Sequence, residues 1–227
     1  PAAESAISYI DGEKGVLEYR GIRIEDLAEH SNFEEVTFLL MNGKLPTESE
    51  LAEITRRIAR ARTLPRDLRA VIKSRPKTAH PMDALQTCVA AVGAVSQHKN
   101  IYDEATREEM AIDFIGKFPS LVAAFHRSRT GQEIVDADPS LSVSADFLHM
   151  LTGEKHEPLK ARAMDICLIL HADHTMNAST FATRVTASTE CQPAAAIAAA
   201  VGSLSGPLHG GANAAELHQL EEIGVKE

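Results

Sequence analysis

The chain has 227 residues, 44% hydrophobic and 24% charged, the balance of a globular protein long enough to bury a sizeable core. Aromatic residues make up only 4% and tryptophan is absent, so the core must be largely aliphatic. A formal net charge of −9 argues against nucleic acid, and no apolar run reaches the roughly 18 to 20 residues of a membrane span.

Ile7–Ile10 and Val16–Arg20 flank Asp11-Gly12-Glu13-Lys14-Gly15 and predict two short strands around a tight turn, a β-hairpin over residues 7–21. From Ile24 onward the pattern is helical, punctuated by glycine and proline. A helix from Phe33 to Met41 stops at Asn42-Gly43, and Thr47-Glu48-Ser49-Glu50 has the capping-box spacing that opens a helix to about Thr63. Pro65 and Pro76 bracket another short helix. Between Thr55 and Lys77 stand nine basic residues against one acid, Asp67. That segment reads as a solvated helix face, with docking of an acidic partner, a second copy or a nucleotide-bearing substrate as the alternative.

His80-Pro81-Met82-Asp83 opens a long apolar helix through Val95, with proline at the favoured first position. Glu104–Arg129 continues in helix and is expected to break near Pro119. A polar loop over Gly131–Ser140 follows, then a short helix from Ser144 to Thr152 stopped by Gly153. The helix Pro158–Leu170 ends apolar nearly all round, so it is expected to lie deep and to deliver His171 and His174 from the interior. Pro193–Ser205 is so rich in alanine that close backbone packing is expected, and Ala212–Ile223 restarts a helix. The fold class is all-α with a short N-terminal hairpin. Cys88, Cys167 and Cys191 lack motif spacing and read as reduced thiols; with no basic-then-apolar start, the expected compartment is cytoplasmic.

Chemistry concentrates between His171 and Asn213. His171 and His174 are three residues apart and share one side of a helix end, where Asp173 is able to orient an imidazole. His209 follows thirty-five residues after His174, between Gly206-Pro207 and Gly210-Gly211, where the backbone turns sharply and a ligand approaches the ring closely. A histidine on an apolar helix is commonly a satisfied core residue, and His171, directly after Cys167-Leu168-Ile169-Leu170, fits that description. His174 and His209, at element ends among polar or glycine residues, fit it less well. His171, Asp173, His174 and His209 are also of metal-ligand type, which admits a metal-dependent hydrolase. However, Cys-x-x-Cys and His-Glu-x-x-His spacings are absent, no further carboxylate stands near the His209 turn, and no metal is expected.

Four segments together resemble the citrate synthase family, in the bacterial form that also contains 2-methylcitrate synthase. They are Ile7–Gly21, His80–Asp83, His171–Thr180 and Gly206–Asn213, in the family's order. The resemblance implies a citrate-synthase-like multi-helical large domain over residues 1–210 and the start of a small domain over 211–227, the remainder being absent. It implies condensation of acetyl-CoA with oxaloacetate through an enol, giving citrate and CoA, with acetyl-CoA as substrate and no cofactor. His209 would be the catalytic residue, hydrogen-bonding the thioester carbonyl; His174 would bind oxaloacetate, with His171 and Asn177 in the same substrate-binding group. A homodimer is implied, and the charge asymmetry allows a higher homo-oligomer. The family's further histidine, proton-abstracting aspartate and carboxylate-clamping arginines have no counterpart here: no aspartate follows Asp173, and Arg184 and Lys226 are the only lysines or arginines after His171. Alternatives are 2-methylcitrate synthase, since one methylene is worth only about 1 to 3 kcal/mol, or, for a true truncation, an inactive helical self-assembly module.

Overall fold

The computed structural model describes residues 4–96 and 99–224. In chain order the elements are β1 (Ser8–Asp11), β2 (Val16–Tyr19), β3 (Ile22–Arg23), α1 (Ile24–His30), α2 (Phe33–Asn42), α3 (Glu48–Ala61), α4 (Arg66–Lys73), α5 (Pro81–Val95), α6 (Glu104–Arg129), α7 (Val143–Thr152), α8 (Pro158–Leu170), α9 (Ala178–Ala187), α10 (Pro193–Leu204) and α11 (Gly211–Ile223). The all-α class is observed, with one small antiparallel sheet of order β1-β2-β3. The chain divides into two compact units, the first Pro1–Thr78 with Asn100–Met176, the second Ala79–Lys99 with Asn177–Glu227.

In the first unit the hairpin is extended by β3, which the sequence reading did not include. Tyr19 pairs with Ile22 across a two-residue turn whose Arg20 and Gly21 both have positive φ, 52° and 82°. That geometry matches the right-handed twist of the strands it joins. The Arg20 side chain offsets the strained φ by donating to the Leu40 carbonyl at 2.7 Å. Helix ends follow sequence closely. Asn32 caps α2, which Gly43 ends at φ 76°, and Thr47 with Glu50 forms the complete capping box of α3. The Glu50 carboxyl, bonded first by Lys44 and then by Thr47, is lowered to about 2.

Two apolar clusters fill this unit. One joins Tyr19, Ile24, Leu27, Val36, Leu39 and Ile169; the other joins Ile54, Ile58, Ile112 and Val143. Arg162 of α8 donates to the Ser31 carbonyl at 2.7 Å and pairs with Asp165 at 3.0 Å, whose other oxygen accepts from Ser144 at 2.7 Å. These bonds satisfy carbonyls at the end of α1 while tying α7 to α8. The basic segment finds acids in its own unit: Arg57 meets Glu108 at 2.5 Å, Arg69 bonds Asp136, and Lys73 reaches Glu133 at 3.7 Å. The positive stretch is thus partly an internal counterpart of the acidic 131–140 loop.

Two local expectations are corrected. α6 runs unbroken through Pro119. The proline removes one backbone donor, but both neighbouring turns are held from outside: Gly116 lies against α3, and Ser120 donates to the Arg62 carbonyl at 2.7 Å. α8 is not deep in its unit. Only Asp165 and Ile169 are buried, and Leu170 stays 43% exposed, because α1, α2 and α7 cover one face of the helix.

The second unit is built by α5, α9, α10 and α11. The alanine-rich α10 packs as closely as expected: a Cβ added at Gly93 of α5 would stand 2.7 Å from the Ala194 Cβ, and Gln86 donates to the Ala198 carbonyl at 3.0 Å. Helices approach this closely only where side chains are small.

Candidate active site

In the first unit α8 ends at His171, whose Nδ1 donates to the Cys167 carbonyl at 2.8 Å. This closes the last turn and leaves Nε2 as the outward nitrogen. The chain then passes through Asp173, His174 and Thr175. Thr175 adopts φ 60°, a left-handed conformation rare for a β-branched residue and costing about 1–3 kcal/mol unless its surroundings impose it. They do impose it. The Thr175 N–H donates to Asp173 Oδ1 at 2.9 Å, and the same carboxylate oxygen accepts from Ser8 Oγ. The Tyr19 hydroxyl, fully buried, meets the Ile169 and Asp173 carbonyls at 3.0 and 3.1 Å and accepts the Asp173 N–H at 3.2 Å. Burial pushes the Tyr19 phenol upward, so it stays a protonated donor. His174, between these anchored residues, is exposed, and its ring is bonded to no other described residue. An imidazole held by its backbone and left open at both nitrogens suits a ligand.

In the second unit Asn177 caps α9. Its Oδ1 accepts the Thr180 N–H at 2.9 Å and the Ser179 hydroxyl at 2.8 Å, which leaves its amide N–H groups as donors. Ser179 then meets His209: its N–H donates to His209 Nε2 at 3.3 Å, and its Oγ lies 2.9 Å from the same nitrogen. A neutral ring with Nε2 accepting carries its proton on Nδ1. His209 is half-buried in the turn before α11, closed by Gly210 N–H to Gly206 O at 3.0 Å. Gly210 is required there, since a Cβ would stand 2.1 Å from the Leu204 carbonyl oxygen.

The four sequence-derived positions thus fall in two groups: His171 and His174 on one unit, Asn177 and His209, joined through Ser179, on the other. Ser8, Tyr19 and Ser179 were not anticipated. Ser179 is two residues after the capping Asn177, a spacing that signals a turn, but its bond to a histidine thirty residues away left no sequence signal. Among the described residues no group of three or more His, Cys, Asp or Glu side chains is arranged to hold a metal ion.

The family model described as "Citrate synthase, C-terminal domain" matches residues 1–227. The citrate synthase of Synechocystis sp. is 48% identical over 227 residues, an alignment covering 100% of this chain and 57% of that protein. The crystal structure of citrate synthase from Pyrobaculum aerophilum superposes with a TM-score of 0.91 at 40% identity, over 98% of this chain and 57% of the other. The citrate synthase of Thermoplasma acidophilum, solved as a ternary complex with carboxymethyl coenzyme A and oxaloacetate, also superposes with a TM-score of 0.91, at 32% identity over 98% of this chain and 58% of its own. The chain therefore spans about three fifths of the relatives it matches, and across that span both its sequence and its fold place it within one family: the chain belongs to the citrate synthase family.

Proposed function

We propose that this chain is the larger part of a citrate synthase subunit, which condenses acetyl-CoA with oxaloacetate to give citrate and CoA. The observation that carries the reading is the bonding of His209. With Nε2 engaged by Ser179, the ring offers its Nδ1–H as donor. Enolisation of a thioester puts negative charge on its carbonyl oxygen, and a donor already aimed there stabilises that charge more than it stabilises the ground state. His174, exposed on an anchored backbone, is assigned to oxaloacetate, with His171 and Asn177 supporting substrate binding. The Thermoplasma acidophilum relative, in complex with carboxymethyl coenzyme A and oxaloacetate, supports this substrate pair. Residues 1–210 are assigned to the large domain and 211–227 to the start of the small one. No aspartate follows Asp173, and the base that takes the methyl proton is assigned to no residue of this chain.

The proposal includes no cofactor, a cytoplasmic location and a homodimer. Cys88, Cys167 and Cys191 are joined in no disulfide among the described residues, in keeping with a reducing compartment, and no helix among the described residues is long and apolar enough to cross a membrane. α9 buries none of its residues, while Phe181 and Val185, one helical turn apart, are 45% and 53% exposed. A second copy would cover such a face. The test is thiol release from acetyl-CoA and oxaloacetate by the complete protein. His209→Ala should lower turnover by roughly 10²–10³-fold and leave oxaloacetate affinity unchanged; equal loss of both would contradict the assignment.

A further inference from the structure

The small sheet reaches the histidine loop through two side chains to which the functional reading gives no part. Ser8 and Tyr19 are direct partners in the β1–β2 ladder, so their side chains leave the same face of the sheet. Both end on Asp173. The Tyr19 hydroxyl meets the Asp173 carbonyl at 3.1 Å, which belongs to the peptide group joining Asp173 to His174. Ser8 Oγ bonds Asp173 Oδ1, and that oxygen accepts at 2.9 Å from the Thr175 N–H, which belongs to the peptide group joining His174 to Thr175. The two peptide planes that flank the His174 Cα are therefore both tied, directly or through one carboxylate, to a cross-strand pair more than 150 residues earlier. Fixing both planes fixes φ and ψ of His174, and with them the direction in which its side chain leaves the backbone.

We propose that Ser8 and Tyr19 are positioning residues that aim the His174 imidazole at oxaloacetate. The inference rests on the assignment of His174 to that substrate. In the complete protein, Tyr19→Phe keeps the buried ring and removes only the hydroxyl, while Ser8→Ala removes the donor to the carboxylate. Each should raise the KM for oxaloacetate about tenfold, with kcat and the KM for acetyl-CoA held within about twofold. Hydrogen exchange at 173–175 should speed up in both variants. Tyr9→Phe, on the neighbouring exposed position of β1, should change neither.

Unchanged oxaloacetate KM and unchanged exchange would overturn the proposal, as would a parallel rise in both KM values that follows a loss of thermal stability. Should Tyr19→Phe fail to fold, Ser8→Ala decides the matter alone. A parent protein without thiol release would refute the functional reading, whereas unaltered loop exchange in an active protein would refute the positioning role; the two failures are distinct.

Discussion

The guanidinium of Arg62 and the carboxylate of Asp146 meet at 3.1 Å with both side chains almost wholly withdrawn from solvent. Arg62 follows the last turn of α3 and Asp146 lies in the first turns of α7. Arg62 also donates to the Leu141 carbonyl at 2.8 Å, and Asp146 accepts the Asp138 N–H at 2.9 Å, so the pair anchors the polar loop between α6 and α7. Removing one partner leaves a buried charge uncompensated. Asp146→Ala should therefore destabilise the protein by about 3–5 kcal/mol, while replacing both residues by apolar ones of similar volume should cost much less. Denaturant unfolding of the two variants checks this.

Glu34, beside the same pair, accepts the Val143 N–H at 2.8 Å, and burial raises its carboxyl above the ordinary 4.5. In the window between 4.5 and the raised value the folded state holds a proton that the unfolded state has lost, so stability falls as pH rises. Glu34→Gln removes that dependence. The stability of the variant relative to the parent should increase with pH across the window and level off above it, as read by thermal unfolding. A difference that is flat in pH would show that Glu34 ionises alike in both states.

Gly116 of α6 faces α3 with no room to spare. An added Cβ would stand 2.6 Å from the Ala61 Cβ and 2.8 Å from the Ile58 carbonyl oxygen, neither of which is the end of a flexible side chain. Gly116→Ala should cost about 1–3 kcal/mol by forcing the helices apart. Gly12→Ala, with nothing within 4 Å, should be close to neutral and serves as control.

Ser179→Ala tests how the His209 ring is held in place. The hydroxyl lies 2.9 Å from Nε2, and its loss frees the ring to turn. If His209 acts as proposed, thiol release should fall by up to about a hundredfold with little change in melting temperature. Activity equal to the parent's would show that the backbone N–H of residue 179 suffices to hold the ring.

Much of this was legible in the order of residues. Caps, proline at first helical turns and glycine at helix ends act within four residues, so Asn32, Thr47, Gly43 and Gly153 announce their elements directly. The His171–Thr180 and Gly206–Asn213 segments marked the candidate site because histidines among glycine and polar residues are poorly explained as core. Interactions that depend on distance in space left no such mark. Pro119 looked like a break because the loss of one donor is local information, whereas the packing that keeps α6 whole comes from α3 and α7. The end of α8 looked buried because it is apolar all round, but exposure depends on which neighbours arrive, and they cover one face. The partners of Asp173 and His209 are likewise tertiary. The sequence by itself determined most of the helices, the first two strands of the sheet and the residue types able to do the chemistry, since those follow from short-range sterics and hydrogen bonding. Only the tertiary structure decided that a serine and a tyrosine of the first strands bond the loop that carries His174 and that Ser179 meets Nε2 of His209, because those contacts join residues that chain order keeps far apart.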